Sequence, residues 1–120
     1  MRKRKPLPPT LGNIRKARAF VLVKWRERAA EMGRPQPRTA RGACKFASLF
    51  AAAVFGGDLR GNWQHQWAEV DGQIIDLSVR DGDYTHDIMF FGNADHAESM
   101  TLCMPRVAQW LAEFAAHTPK

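Results

Sequence analysis

Between Trp63 and Ser78 apolar and polar residues alternate on either side of Asp71-Gly72. An Asp-Gly pair tolerates the positive φ angles of a two-residue hairpin turn, whose twist matches that of the flanking strands. With these two residues at the turn, Val70 pairs with Gln73, Glu69 with Ile74, Trp67 with Asp76 and His65 with Ser78. His65 and Asp76 then become diagonal neighbours on one face, with Cβ atoms about 7 Å apart. A register slip of one residue would send them to opposite faces.

Helices are expected on either side of this hairpin. Asn13 is the expected cap of a first helix reaching about Met32, with Ile14, Ala17, Val21, Trp25, Ala29 and Met32 recurring at spacings of three and four. Gly33, Pro35 and Pro37 end it. A second helix starts at Cys44, buries Phe46, Leu49, Phe50 and Ala53, and stops at Gly56-Gly57. Residues 56–64 read as a connection, and Tyr84 to Phe91 as a further strand. Pro105 suits the first turn of a last helix, whose Val107, Trp110, Leu111 and Phe114 face the core. The fold class is therefore α+β, with helices packed on a small antiparallel sheet.

The 120 residues, 45% of them hydrophobic, suffice for one domain and one core. Residues 1–12, with Arg2-Lys3-Arg4-Lys5 and three prolines, read as a flexible basic arm, and residues 13–120 as the domain. Phe20 to Val23 is too short for a signal-peptide core, and no apolar run approaches the roughly 18 residues of a membrane span, so a cytoplasmic location is expected. Cys44 and Cys103 make no spaced disulfide framework and no Cys-x-x-Cys pair, so reduced thiols, no zinc and no cofactor are expected. A mixed metal site drawing on His86, Asp87 or His96 is the alternative.

Charge is distributed unevenly. Residues 1–43 carry 13 Lys/Arg against 2 acids, whereas residues 44–120 carry 5 against 10, within an overall charge of +6. Such a field attracts an acidic partner, a nucleic acid or an anionic surface, or draws the two halves together.

Cys44, His65 and Asp76 supply what an active thiol needs: a nucleophile, a base to carry its proton and a carboxylate to orient the base. Free N–H groups and positive potential at a helix start favour a thiolate, and Arg41 and Lys45 add to that potential. The backbone N–H of Cys44 is the first expected donor to an oxyanion, with the Gln64 side chain as a candidate second. Trp67 is a candidate substrate contact, though core packing is its ordinary use. Asp76 alone would read as a strand-end cap, and Cys103 as a buried thiol.

Gly42-Ala43-Cys44 with Ala47-Ser48, His65-Gln66-Trp67-Ala68-Glu69-Val70 and Asp71-Gly72-Gln73-Ile74-Ile75-Asp76 resemble the transglutaminase-like superfamily, a group of papain-related cysteine enzymes. The resemblance covers about residues 40–79. It implies a core in which Cys44, opening a helix, meets His65 and Asp76 on an antiparallel sheet, as nucleophile, general base and orienter. The 21 positions from Cys44 to His65 leave little room for the extra strand many relatives place there, and Gln66 stands where a small residue is commoner.

The expected function is acyl transfer from a peptide or protein amide through a thioester, by peptidase, amidase, deamidase or transglutaminase chemistry. The alternative is a non-catalytic binding module whose basic N-terminal half contacts an acidic protein or nucleic acid. No membrane partner is expected, and the oligomeric state is open.

Overall fold

The computed structural model describes residues 5–61, 65–79, 82, 84 and 94–117, with side chains from 97 to 116 in the last segment. The elements run α1 (Leu11–Glu31), α2 (Cys44–Phe55), β1 (Asp58–Gly61), β2 (Gln66–Val70), β3 (Gln73–Ile75) and α3 (Ala94–His117). The strands form an antiparallel sheet in the order β1-β2-β3, and α2 packs against both β2 and α3. The architecture is α+β, and no helix among the described residues is long and apolar enough to cross a membrane.

The hairpin has the expected register. Asp71 and Gly72 take φ angles of 51° and 79°, and Val70, Glu69 and Ala68 pair with Gln73, Ile74 and Ile75. Asp76 begins where the ladder ends, so its carboxylate is available to neighbouring residues rather than committed to a regular strand face.

β1 corrects the reading of residues 56–64 as a plain connection. Asp-Leu-Arg-Gly has no apolar alternation to announce a strand, yet Asp58, Leu59, Arg60 and Gly61 pair with Glu69, Ala68, Trp67 and Gln66. The pairing satisfies backbone groups that β2 would otherwise leave at an edge. A Cβ on Gly57 would come within 2.5 Å of the Glu69 carbonyl oxygen and of Val70, so glycine is what allows the chain to turn tightly from α2 onto β2.

α2 is apolar nearly all round because it is covered on several sides. Ala47, Ser48, Leu49, Phe50, Ala51, Val54 and Phe55 are buried; Phe46 is half-buried and Ala53, expected inside, is exposed. Gly56, at φ 74°, ends the helix in the left-handed conformation. Phe50 touches Phe20 of α1 and Trp110 and Phe114 of α3, tying all three helices together.

Three boundaries differ from the sequence reading. Thr10 rather than Asn13 caps α1, its hydroxyl accepting the Asn13 N–H, while the Asn13 amide donates to the Pro8 carbonyl. The segment assigned to a basic arm is docked from Pro6 onward: Leu7 N–H bonds the Val54 carbonyl and its side chain packs on the core. α3 begins at Ala94, with Pro105 inside it rather than in its first turn. Buried Met100 and Cys103 continue the stripe of Val107, Trp110 and Phe114 backward across Pro105, and that packing outweighs the lost N–H. The strand expected over Tyr84 to Phe91 lies, except for Tyr84, outside the described residues.

Candidate active site

Cys44 is the first residue of α2, following an N-cap alanine that offers no side-chain hydrogen bond. Its Sγ–H donates to Gln66 Oε1 at 2.9 Å. One residue earlier on the incoming chain, His65 Nε2 meets Asp76 Oδ2 at 2.5 Å. The structure thus forms two hydrogen-bonded pairs, Cys44–Gln66 and His65–Asp76, whose members 65 and 66 are consecutive at the start of β2.

Asp76 is more thoroughly held than a strand-end cap requires. Oδ1 accepts from the Ser78 N–H, the Ser78 hydroxyl and the Val79 N–H, at 2.9, 2.7 and 3.2 Å. Oδ2 accepts from Tyr84 at 2.9 Å in addition to His65. Arg18, from α1, donates to the Asp76 main-chain carbonyl at 2.8 Å. Burial by itself would raise the pKa of this carboxyl, but the bonds from His65, Ser78 and Tyr84 outweigh it and hold Asp76 below the ordinary range. An ionised acceptor requires a donor opposite, which assigns the proton of neutral His65 to Nε2 and its basic lone pair to Nδ1. Tyr84 is pushed up to about 12, first by burial and then by its bond to the Asp76 anion.

The imidazole is held by rings as well as by its carboxylate. Trp67 lies 5.9 Å from His65 and Tyr84 lies 6.1 Å away, and the two flanking rings meet edge to face at 5.1 Å. Trp67 is 2% exposed, which corrects its candidacy as a substrate contact: its role is to fix the imidazole from within the core. Gln64, the candidate second oxyanion donor, lies outside the described residues.

The thiol differs from expectation. Burial pushes Cys44 up, and the Asp76 charge adds to this, while backbone hydrogen bonding from Gln66 and Lys45 and the Lys45 charge oppose it without prevailing. The Lys45 ammonium donates to the Ser99 hydroxyl on α3. The resting group is a neutral thiol donating to an amide oxygen, rather than the thiolate favoured by a helix start alone. Cys103 is likewise raised by burial, against Lys45 and Arg28, and both cysteines are free thiols.

Reasoning from sequence missed Gln66, Ser78, Tyr84 and Arg18. Ser78 carried a usable signal, since a serine two residues after an aspartate suits a side-chain-to-backbone turn. Gln66 carried another, a long polar side chain in register with apolar Ala68 and Val70 on the same strand. Arg18 reaches Asp76 across 58 positions and had none.

Among the described residues no group of three or more His, Cys, Asp and Glu could hold a metal ion. His86, Asp87 and the side chain of His96, the alternative metal ligands, lie outside them. Comparison with family models, curated proteins and solved structures gives no match to this chain.

Proposed function

We propose that the protein is a cysteine-dependent acyl-transfer enzyme of transglutaminase-like type, with Cys44 as nucleophile, His65 as general base and acid, and Asp76 as orienter. The observation that carries this reading is the His65–Asp76 pair, with its assigned tautomer, directly preceding the residue that bonds the Cys44 thiol. As an amide substrate displaces the thiol from Gln66, the Cys44 proton passes to His65 Nδ1 and sulfur bonds the carbonyl carbon. The carbon–nitrogen bond then breaks as His65 returns that proton to the leaving amine. Water or a second amine, deprotonated by His65, releases the acyl group from the thioester, and the thiol recovers its proton. Proton transfer at the moment of attack suits a thiol whose resting pKa is raised.

One observation favours a second reading from another class. A neutral thiol held by Gln66 also suits a binding module that performs no turnover, with the basic N-terminal half contacting an acidic protein or a nucleic acid.

Turnover of para-nitrophenyl acetate separates the two without knowledge of the natural substrate. The enzyme reading expects a thioester on Cys44 detectable by mass spectrometry, its formation slowed about 10²- to 10⁴-fold in His65→Ala. Cys103→Ala should turn over normally. Undiminished turnover in Cys44→Ala, or no thioester on Cys44 of the native chain, overturns the enzyme reading.

A further inference from the structure

A cleft of about 850 Å³ opens between one face of α1, the 38–41 loop and residues 77–79. Four arginines line it: Arg15 and Arg18 from successive turns of α1, and Arg38 and Arg41 from the loop leading into Cys44. Between them lie aliphatic side chains, among them Ala19, Leu22 and Val79. Arginine forks of this kind match the paired oxygens of a carboxylate or phosphate.

Three of these arginines, Arg15, Arg18 and Arg38, enter no ion pair among the described residues. Glu27 and Glu113 pair with Lys24, Glu31 with Arg106, Glu69 with Arg60 and Asp76 with His65. None of these ion pairs uses Arg15, Arg18 or Arg38. Among the described residues Arg18 bonds a main-chain carbonyl and its Nε–H meets no acceptor. Positive charge therefore gathers in this cleft without a carboxylate partner for Arg15, Arg18 or Arg38 among the described residues.

We propose that this cleft binds an acidic peptide segment, with its carboxylates on the arginines and its aliphatic side chains against Ala19, Leu22 and Val79. Among the described lining residues there is no aromatic ring, so a nucleic acid would find phosphate contacts there but no described surface on which to stack a base. The aliphatic patches between the arginines suit a peptide that alternates acidic and apolar residues. The site also touches the candidate catalytic residues, because Ser78 lines the cleft and bonds the Asp76 carboxylate while Arg18 holds the Asp76 carbonyl. The inference rests on the basic half being a recognition surface and uses no step of the acyl-transfer chemistry.

The test is fluorescence anisotropy with the full chain and a fluorescein-labelled peptide of alternating Glu and Leu, beside a labelled single-stranded oligonucleotide of equal charge. Arg15 and Arg38 are exposed, so Arg15→Glu with Arg38→Glu should leave the fold intact; Lys16→Glu with Arg34→Glu makes the same charge change at exposed positions outside the cleft lining. The cleft pair should weaken peptide binding at least about tenfold, and the control pair much less. Equal weakening by both pairs overturns the cleft while leaving a basic recognition surface. Tighter binding of the oligonucleotide overturns the peptide assignment, and no peptide binding by the native chain overturns the cleft and the recognition surface together.

Discussion

Protonation decides how Cys44, Asp76 and Tyr84 behave: burial pushes the thiol and the phenol up, whereas bonds from His65, Ser78 and Tyr84 hold the Asp76 carboxyl down against burial. Asp76 is held low, so the folded state binds its proton less tightly than the unfolded chain. Its contribution to stability is present above the ordinary carboxylate pKa of about 3.9 and is lost as pH falls through the lower folded value. Urea unfolding across the acid range should show a steeper loss for the native chain than for Asp76→Asn. Tyr84 is the chain's single tyrosine, so tyrosinate absorbance reports it alone, with a midpoint near 12 that Asp76→Asn should lower toward 10. The stabilisation linked to Tyr84 is complete below pH 10 and disappears as pH rises through about 12. Cys44 is pushed up first by burial, and its thiol donates a hydrogen bond to the Gln66 amide oxygen. Gln66→Ala removes that acceptor and should increase the rate of Cys44 alkylation by iodoacetamide at neutral pH, with Cys103 as the internal reference; an unchanged rate would show that burial alone sets the thiol.

Elements place these groups through two glycines with different duties. Gly72 supplies a left-handed residue at a turn with open space around it, so Gly72→Ala should cost about 1–2 kcal/mol, from backbone strain alone. Gly57 has no positive φ but lies against β2, and Gly57→Ala must push the Glu69 carbonyl and Val70 aside, for about 1–3 kcal/mol. Chemical denaturation of the two variants measures both costs. Only Gly57→Ala is expected to disturb the β1–β2 pairing, read as faster amide exchange at Leu59 and Ala68. The hairpin was legible from sequence because an Asp-Gly turn and a period of two act within a few residues. β1 was not, since its four residues owe their conformation to β2 and not to their own pattern. Pro105 misled for a related reason: as a local signal it marks a helix start, and only the burial of Met100 and Cys103 shows that α3 runs through it.

At the scale of the whole molecule, one aromatic cluster and one charge asymmetry dominate. Phe50 is fully buried among rings from α1 and α3, so Phe50→Ala should cost about 3–5 kcal/mol, a large part of the 5–15 kcal/mol by which domains are ordinarily stable. Thermal unfolding followed by circular dichroism checks this, and a loss below 1 kcal/mol would mean that the three helices do not depend on that junction. The sequence alone determined that His65 and Asp76 meet, that Cys44 opens a helix and that Gly56 closes it. These follow from turn chemistry, strand alternation and helix punctuation, all of which operate over short separations. Only the tertiary structure decided that Gln66 accepts the hydrogen bond of the Cys44 thiol, that burial outweighs the helix start in setting the state of Cys44, and that Arg18 braces Asp76 from 58 positions away. Those outcomes depend on which surfaces are removed from water together, and that depends on how distant segments pack.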